Sequence, residues 1–395
     1  MAKGVRIIVL NTDETFTADL RAVLHGFANV KIVAEVDEPA LLQQAVKQYP
    51  VDCLVVNLDP TPEMILPIAG EIARADPELA VFSVSESTDG QLIIKAMRLG
   101  LREYFPRPID AVALGEALER VANQRKNVGQ EGKLISIIGS SGGVGATFLA
   151  TNLAVELAQI ASGSVTVVDL DYRYGQVATF LDVDPEHTLA DLCASPEQLE
   201  IDVIEKAIAQ HSSGVKVLAR PNMVSQAQTI TGASCVGLLA KLVQCNEYVV
   251  TDGPIRFDTN AQAVLEFSDV SLLVVQMMVP SVRNALRLLE ALREDGCNLE
   301  RMKMVCNRLG RDSGHLSVKD VKDTLKMDHF ASIADDWAAV SQALNLGESL
   351  MENSPKSKAR ISIAEIAQSL HGSDEPTDEQ DAHKKGLLGR IFAGS

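Results

Sequence analysis

The residues best placed to do chemistry in this 395-residue chain lie in one short run, GSSGGVGAT at residues 139 to 147. It follows the apolar segment LISII and precedes FLATNLAVELA, so the order is strand, glycine-rich loop, helix. Glycines let successive backbone N–H groups turn inward around an anion, and the positive end of the following helix adds to that field. The same run can make a tight turn with no ligand. Four small residues ahead of Gly145 and Thr147 favour a phosphate cradle spanning Ser140, Ser141, Gly142, Gly143, Val144, Gly145, Ala146, Thr147 and Phe148. Three acids stand at the ends of apolar runs that read as strands: Asp169 and Asp171 in SVTVVDLD, and Asp252 after EYVVT. Strand-end carboxylates can hold a magnesium ion and its waters beside a phosphate, or can cap the next turn. Each is weak alone, but the ordered set is not.

These residues need a scaffold, and the pattern supplies one. From residue 5, β-branched runs (VRIIVL, VKIVAEV, VDCLVVNL, LAVFSVS) alternate with amphipathic stretches, which predicts βαβ units on a parallel sheet covered on both faces. The polar KNVGQEGK ends this series, and a second begins at KLISIIG. The expected division is a first domain over 1–126, a linker over 127–132, a nucleotide-binding domain over 133–370 and a tail over 371–395. The fold class is α/β, a flavodoxin-like unit followed by a doubly wound, mostly parallel P-loop sheet whose strand ends should carry the site.

Composition narrows the function. A net charge of −17 disfavours a phosphate backbone as main partner, because nucleic-acid affinity needs clustered Lys and Arg. The six cysteines show no C-x-x-C pair and read as reduced, mostly buried thiols of a cytoplasmic protein. No run approaches the roughly 18 apolar residues of a membrane span. His187, His211 and His315 are isolated, and neither G-x-S-x-G nor H-E-x-x-H occurs.

The phosphate loop resembles the deviant Walker A sequence K-G-G-x-G-K-[ST] of MinD/ParA proteins, with Ser141 at the signature-lysine position and Ala146 at the ordinary lysine position. The resemblance implies ATP or ADP with Mg2+ as ligand. Thr147, Asp169 and Asp252 would serve the metal, partly through water, and Asp171 would position the attacking water. Asn307 and Arg308 would read the adenine edge. With both lysines missing, binding without efficient hydrolysis is the expectation, and Arg173 or Arg256 could restore part of the charge.

The first series resembles a receiver domain of response regulators. The corresponding pocket is Asp13, Glu14, Asn57, Asp59, Ser85 and Arg107, with Asn57 where the phosphorylated aspartate should be. Asparagine cannot accept a phosphoryl group there, so a pseudo-receiver used for docking or dimerisation is expected. A receiver-like unit fused to a lysine-deficient MinD-like unit resembles the CpaE/TadZ family of tight-adherence (Flp) pilus systems, and the segments DLDYRYGQV and HTLADL add to it. The family implies a homodimeric, ATP-binding localisation scaffold that recruits the secretion ATPase and other assembly proteins at the cell pole or inner membrane. An active MinD-like ATPase, a response regulator and a scaffold without nucleotide are the alternatives.

The chain ends in KKGLLGRIFAGS. On a helix Leu387, Leu388, Ile391 and Phe392 share one arc, with Arg390 opposite and Lys384 and Lys385 leading in, an interfacial pattern for peripheral membrane contact. A frayed end or a partner-binding helix fits the same residues.

Overall fold

The computed structural model describes residues 4–27, 29–125, 132–194, 201–253, 259–310 and 316–372. Arg256, His315 and the whole KKGLLGRIFAGS segment lie outside them.

Two sheets are present among the described residues. The first comprises β1 (Val5–Leu10), β2 (Val30–Val36), β3 (Cys53–Asn57), β4 (Ala80–Ser85) and β5 (Glu103–Pro106) in the order β2-β1-β3-β4-β5, all parallel. This is the flavodoxin-like winding, whose switch point falls between β1 and β3. Between the strands run α1 (Glu14–His25), α2 (Leu42–Gln48), α3 (Pro62–Ala75) and α4 (Gly90–Arg98), and α5 (Ala111–Arg125) follows. The strand runs are apolar almost without interruption because helices cover both faces: every residue of β1, β3 and β4 is buried.

The second sheet is built from β6 (Lys133–Gly139), β7 (Val165–Asp169), β8 (Ala209–Gln210), β9 (Lys216–Leu218), β10 (Tyr248–Asp252), β11 (Val270–Gln276), β12 (Met302–Leu309) and β13 (His329–Ala334). Its order is β13-β12-β11-β6-β10-β7-β9-β8, parallel except for the β8–β9 pair. The strand before the glycine-rich loop, β6, is central. Its helix α6 (Ala146–Ile160) is buried along its middle, from Phe148 to Leu157, because the final helix Lys358–Gly372 lies against it. Arg360 locks the two together through Nε and Nη2 on Glu156, which is 5% exposed, at 2.7 and 3.0 Å. The segment IADDWAAVSQALNLG forms a shorter helix, Trp337–Leu346, before that last one.

The sheets meet at the amino-terminal ends of the second sheet's strands. Lys31 of β2, 7% exposed, donates to the Phe267 carbonyl at 2.9 Å and to Asp269 at 2.6 Å. Asp269 in turn accepts the Leu134 N–H at the start of β6 at 2.8 Å. Arg301 reaches the Val30 carbonyl from the other side. One apolar cluster holds Leu42 and Leu54 of the first sheet's layer together with Leu238, Leu242 and Phe267 of the second's.

Candidate functional site

At the carboxyl end of β6 the chain turns through Ser140–Gly145 into α6. Gly145 caps the helix in the left-handed region at φ 99°. A side chain there would be strained, and its Cβ would run into the Asn307 amide. No side chain caps α6, so its first N–H groups have no side-chain partner and face outward, the arrangement that receives an anion.

Two residues from other strand ends and one from the helix Val279–Glu294 hold the loop. Asn307, 7% exposed, donates through Nδ2 to the Val144 carbonyl at 2.7 Å, while its Oδ1 accepts the Arg308 N–H at 2.8 Å. Gln276 donates to the Gly143 carbonyl at 3.1 Å, and Ser281 shares a 2.9 Å hydrogen bond with the buried Ser140. Gln276 and Ser281 carry no motif, and only the adjacency of β11 to β6 reveals them.

The loop floors a cleft of about 480 Å3. Gly139 through Phe148 line one side, with Asn307 and Arg308. Phe180, Ile333, Trp337, Val340 and Leu344 also line the cleft, together with Asp335 and Asp336. An apolar wall sharing a cleft with a polar loop suits a ligand with a flat ring at one end and negative charge at the other. Arg308, in a left-handed conformation at φ 58°, lies over the Trp337 ring at 6.0 Å and donates to the Gly143 carbonyl at 3.4 Å.

Beside the loop stand two acids in register on neighbouring strands, Asp169 and Asp252, each 1% exposed. Asp169 is held by the Asp171 N–H on Oδ1 and the Val177 N–H on Oδ2, both at 3.1 Å. Gly175 packs so close that a Cβ there would strike this carboxylate. Both oxygens of Asp252 are buried with no hydrogen-bond partner. Burial pushes the Asp252 carboxyl up to about 7; the Thr147 hydroxyl opposes the rise without completing a hydrogen bond, and the charge of Asp171 adds to it. Burial, then the neighbouring Asp252, also drives Asp169 well above the usual carboxylate range. An orphaned buried carboxylate with a hydroxyl beside it is a donor set that fits a small hard cation.

The other expected residues fall as follows. Asp171 accepts the Arg173 and Tyr174 N–H groups on Oδ1 at 3.3 and 3.2 Å, so it caps a turn with one oxygen while its charge acts on the acidic pair. Arg173 is exposed on that turn and does not line the cleft. Ser141 and Ala146, at the lysine positions, line it without charge. In HTLADL, Thr188 and Asp191 form a reciprocal cap for the helix Leu189–Cys193.

A second polar cluster occupies the carboxyl end of the first sheet. Asn57, fully buried, donates to Asn11 at 2.7 Å and accepts the Asp59 N–H at 3.1 Å. Asp59 accepts Ser85 Oγ at 2.8 Å and the Glu86 N–H at 2.6 Å. Arg107 reaches Asp13 at 3.0 Å and Asp59 at 3.7 Å while its guanidinium lies 3.5 Å over the Phe16 ring. The Thr15 hydroxyl, then Arg107, holds Asp13 below the usual carboxylate range. Glu14 opens α1 and is exposed.

No family model matches the chain. It is 26% identical over 235 residues to the uncharacterized ATP-binding protein MJ0169 of Methanocaldococcus jannaschii, covering 59% of this chain and 87% of that protein. Among solved structures, a ParA family ATPase from Chlorobium tepidum superposes with a TM-score of 0.58 at 20% identity, covering 61% of this chain and all of that one. The septum site-determining protein MinD of Pyrococcus horikoshii, solved with Mg-ADP, gives 0.52 at 20%, covering 60% and 95%. These likenesses show the fold: the chain is MinD/ParA-like, with the α/β fold of P-loop ATPases.

Proposed function

We propose that the chain is an ATP-binding localisation and assembly scaffold, dimerising through its MinD-like unit and hydrolysing nucleotide weakly or not at all. The observation that carries this reading is a complete backbone cradle, Ser140 to Thr147, standing beside two buried acids but without either loop lysine. The backbone N–H groups and the uncapped start of α6 bind phosphate, and the apolar wall from Phe180 to Leu344 excludes water from the ring. Thr147, Asp169 and Asp252 would hold Mg2+, which supplies charge neutralisation of the phosphates when bound. With Ser141 and Ala146 in place of cations, charge developing on a transferring phosphoryl group lacks the compensation that transfer needs beyond ground-state binding. Binding therefore outlasts turnover.

Exposed Tyr174, Met278 and Val279 lie at the same end of the second sheet as the loop, which supports a self-association face there. The Arg107 cluster supports a pseudo-receiver: its carboxylates are already met by a guanidinium and Asn57 stands at the acceptor position. A role in Flp pilus assembly, with the secretion ATPase as partner, draws its support from the sequence segments DLDYRYGQV and HTLADL and from the two-unit architecture.

Sedimentation of the full chain with and without MgATP, with phosphate release measured on the same samples, tests the reading. Nucleotide-dependent dimers with little release are expected. Rapid release would make the chain a working ATPase instead.

A further inference from the structure

We infer that Arg308 is the cation that serves the nucleotide's phosphates in place of the two missing loop lysines, an inference that rests on the nucleotide site proposed above. Among the described residues lining the cleft, Arg308 is the single cation, set against the acids Asp335 and Asp336. Its Nη2 already lies 3.4 Å from the Gly143 carbonyl, at the part of the loop where Gly142 and Gly143 face open space. A guanidinium held beside the loop by one long bond to a carbonyl keeps further N–H donors for phosphate oxygens, which are better acceptors than the carbonyl.

The neighbouring residue explains how it is held there. Asn307 uses Nδ2 on Val144 and Oδ1 on the Arg308 N–H, so both ends of its amide are engaged with the loop and with Arg308 itself. That second bond accompanies φ 58° at Arg308, a conformation uncommon for a side chain of this size. Trp337 backs the guanidinium at 6.0 Å. The pair Asn307-Arg308 thus divides its work: the amide clamps the loop, and the guanidinium meets the negative charge. A lysine within the loop would make this arrangement redundant, and neither lysine is present.

The test separates phosphate from base. Titrate adenosine, ADP and ATP, each with Mg2+, into the full chain, into Arg308→Met and into Arg308→Lys, checking the melting temperature of each variant. Arg308→Met should weaken ATP by about 10- to 100-fold, the loss of a charge-assisted contact, while adenosine binding stays unchanged. Arg308→Lys should recover most of the loss. Equal weakening of adenosine and ATP would overturn the inference in favour of base recognition, and unchanged ATP affinity in Arg308→Met would overturn it with the nucleotide site intact. Absence of binding of any of the three to the parent chain would instead remove the nucleotide site itself.

Discussion

Asp252 offers the sharpest physical test of the acidic pair. Its carboxyl is almost wholly buried, lacks a hydrogen-bond partner on either oxygen and titrates near 7 rather than 3.8. Because the folded state holds the proton more tightly than the unfolded one, it binds more protons between about pH 4 and 7, and stability falls as pH rises through that window. Below it both states are protonated and nothing is lost; above it the full penalty applies. Three factors of ten in proton affinity, at ~1.4 kcal/mol each, set the upper limit near about 4 kcal/mol. Asp252→Asn removes the charge and keeps the shape. The variant should therefore be more stable than the parent by about 2 to 4 kcal/mol at pH 8, roughly 5 to 10 °C in melting temperature, and equal to it at pH 4. Calorimetric melts across pH 4 to 8 without Mg2+ read the difference. Identical pH slopes for parent and variant would refute the reasoning.

Other perturbations follow from particular contacts. Gly175→Ala drives a methyl into the Asp169 carboxylate and should cost about 1 to 3 kcal/mol, read by thermal melts. Arg360→Ala strands Glu156 in the packing between α6 and the last helix and should cost about 3 kcal/mol, whereas Arg360→Ala combined with Glu156→Leu recovers most of it. Lys31→Met leaves Asp269 with a single N–H partner at the junction of the two sheets and should cost about 2 kcal/mol, with faster amide exchange at Leu134 as the local signature. Acetyl phosphate should leave the parent chain unlabelled by mass spectrometry, because Asn57 stands at the acceptor position and Asp59 is tied to Ser85, Glu86 and Arg107.

Much of the architecture was legible because buried parallel strands are written as continuous β-branched runs. VRIIVL, LISII and VSLLVV have no other reading once amphipathic stretches separate them, and the loop announces itself by glycine density between a strand and a helix. The edge strands were harder to see. His329–Ala334 is only partly buried and carries a mixed pattern, and the β8–β9 pair is too short to show a period. At the site, residue types and order pointed to Thr147, Asp169 and Asp252, but spacing along the chain cannot show which groups clamp the loop. Gln276, Ser281 and Asn307 reach it only because β11 lies beside β6 and β12 beside β11, a fact of sheet order. Nor does a sequence show that Asp171 spends an oxygen on its own turn, or that Arg308 lines the cleft while Arg173 does not.

The central claim is that the lysine-free loop holds a nucleotide's phosphates, and calorimetric titration of MgATP into the full chain and into Gly145→Arg tests it most directly. The arginine would break the left-handed turn, displace Asn307 and fill the cradle. Saturable binding by the parent chain, lost in a variant that still folds, is the expected result. Failure of the parent to bind at millimolar ATP, or equal affinity in the variant, would contradict the account.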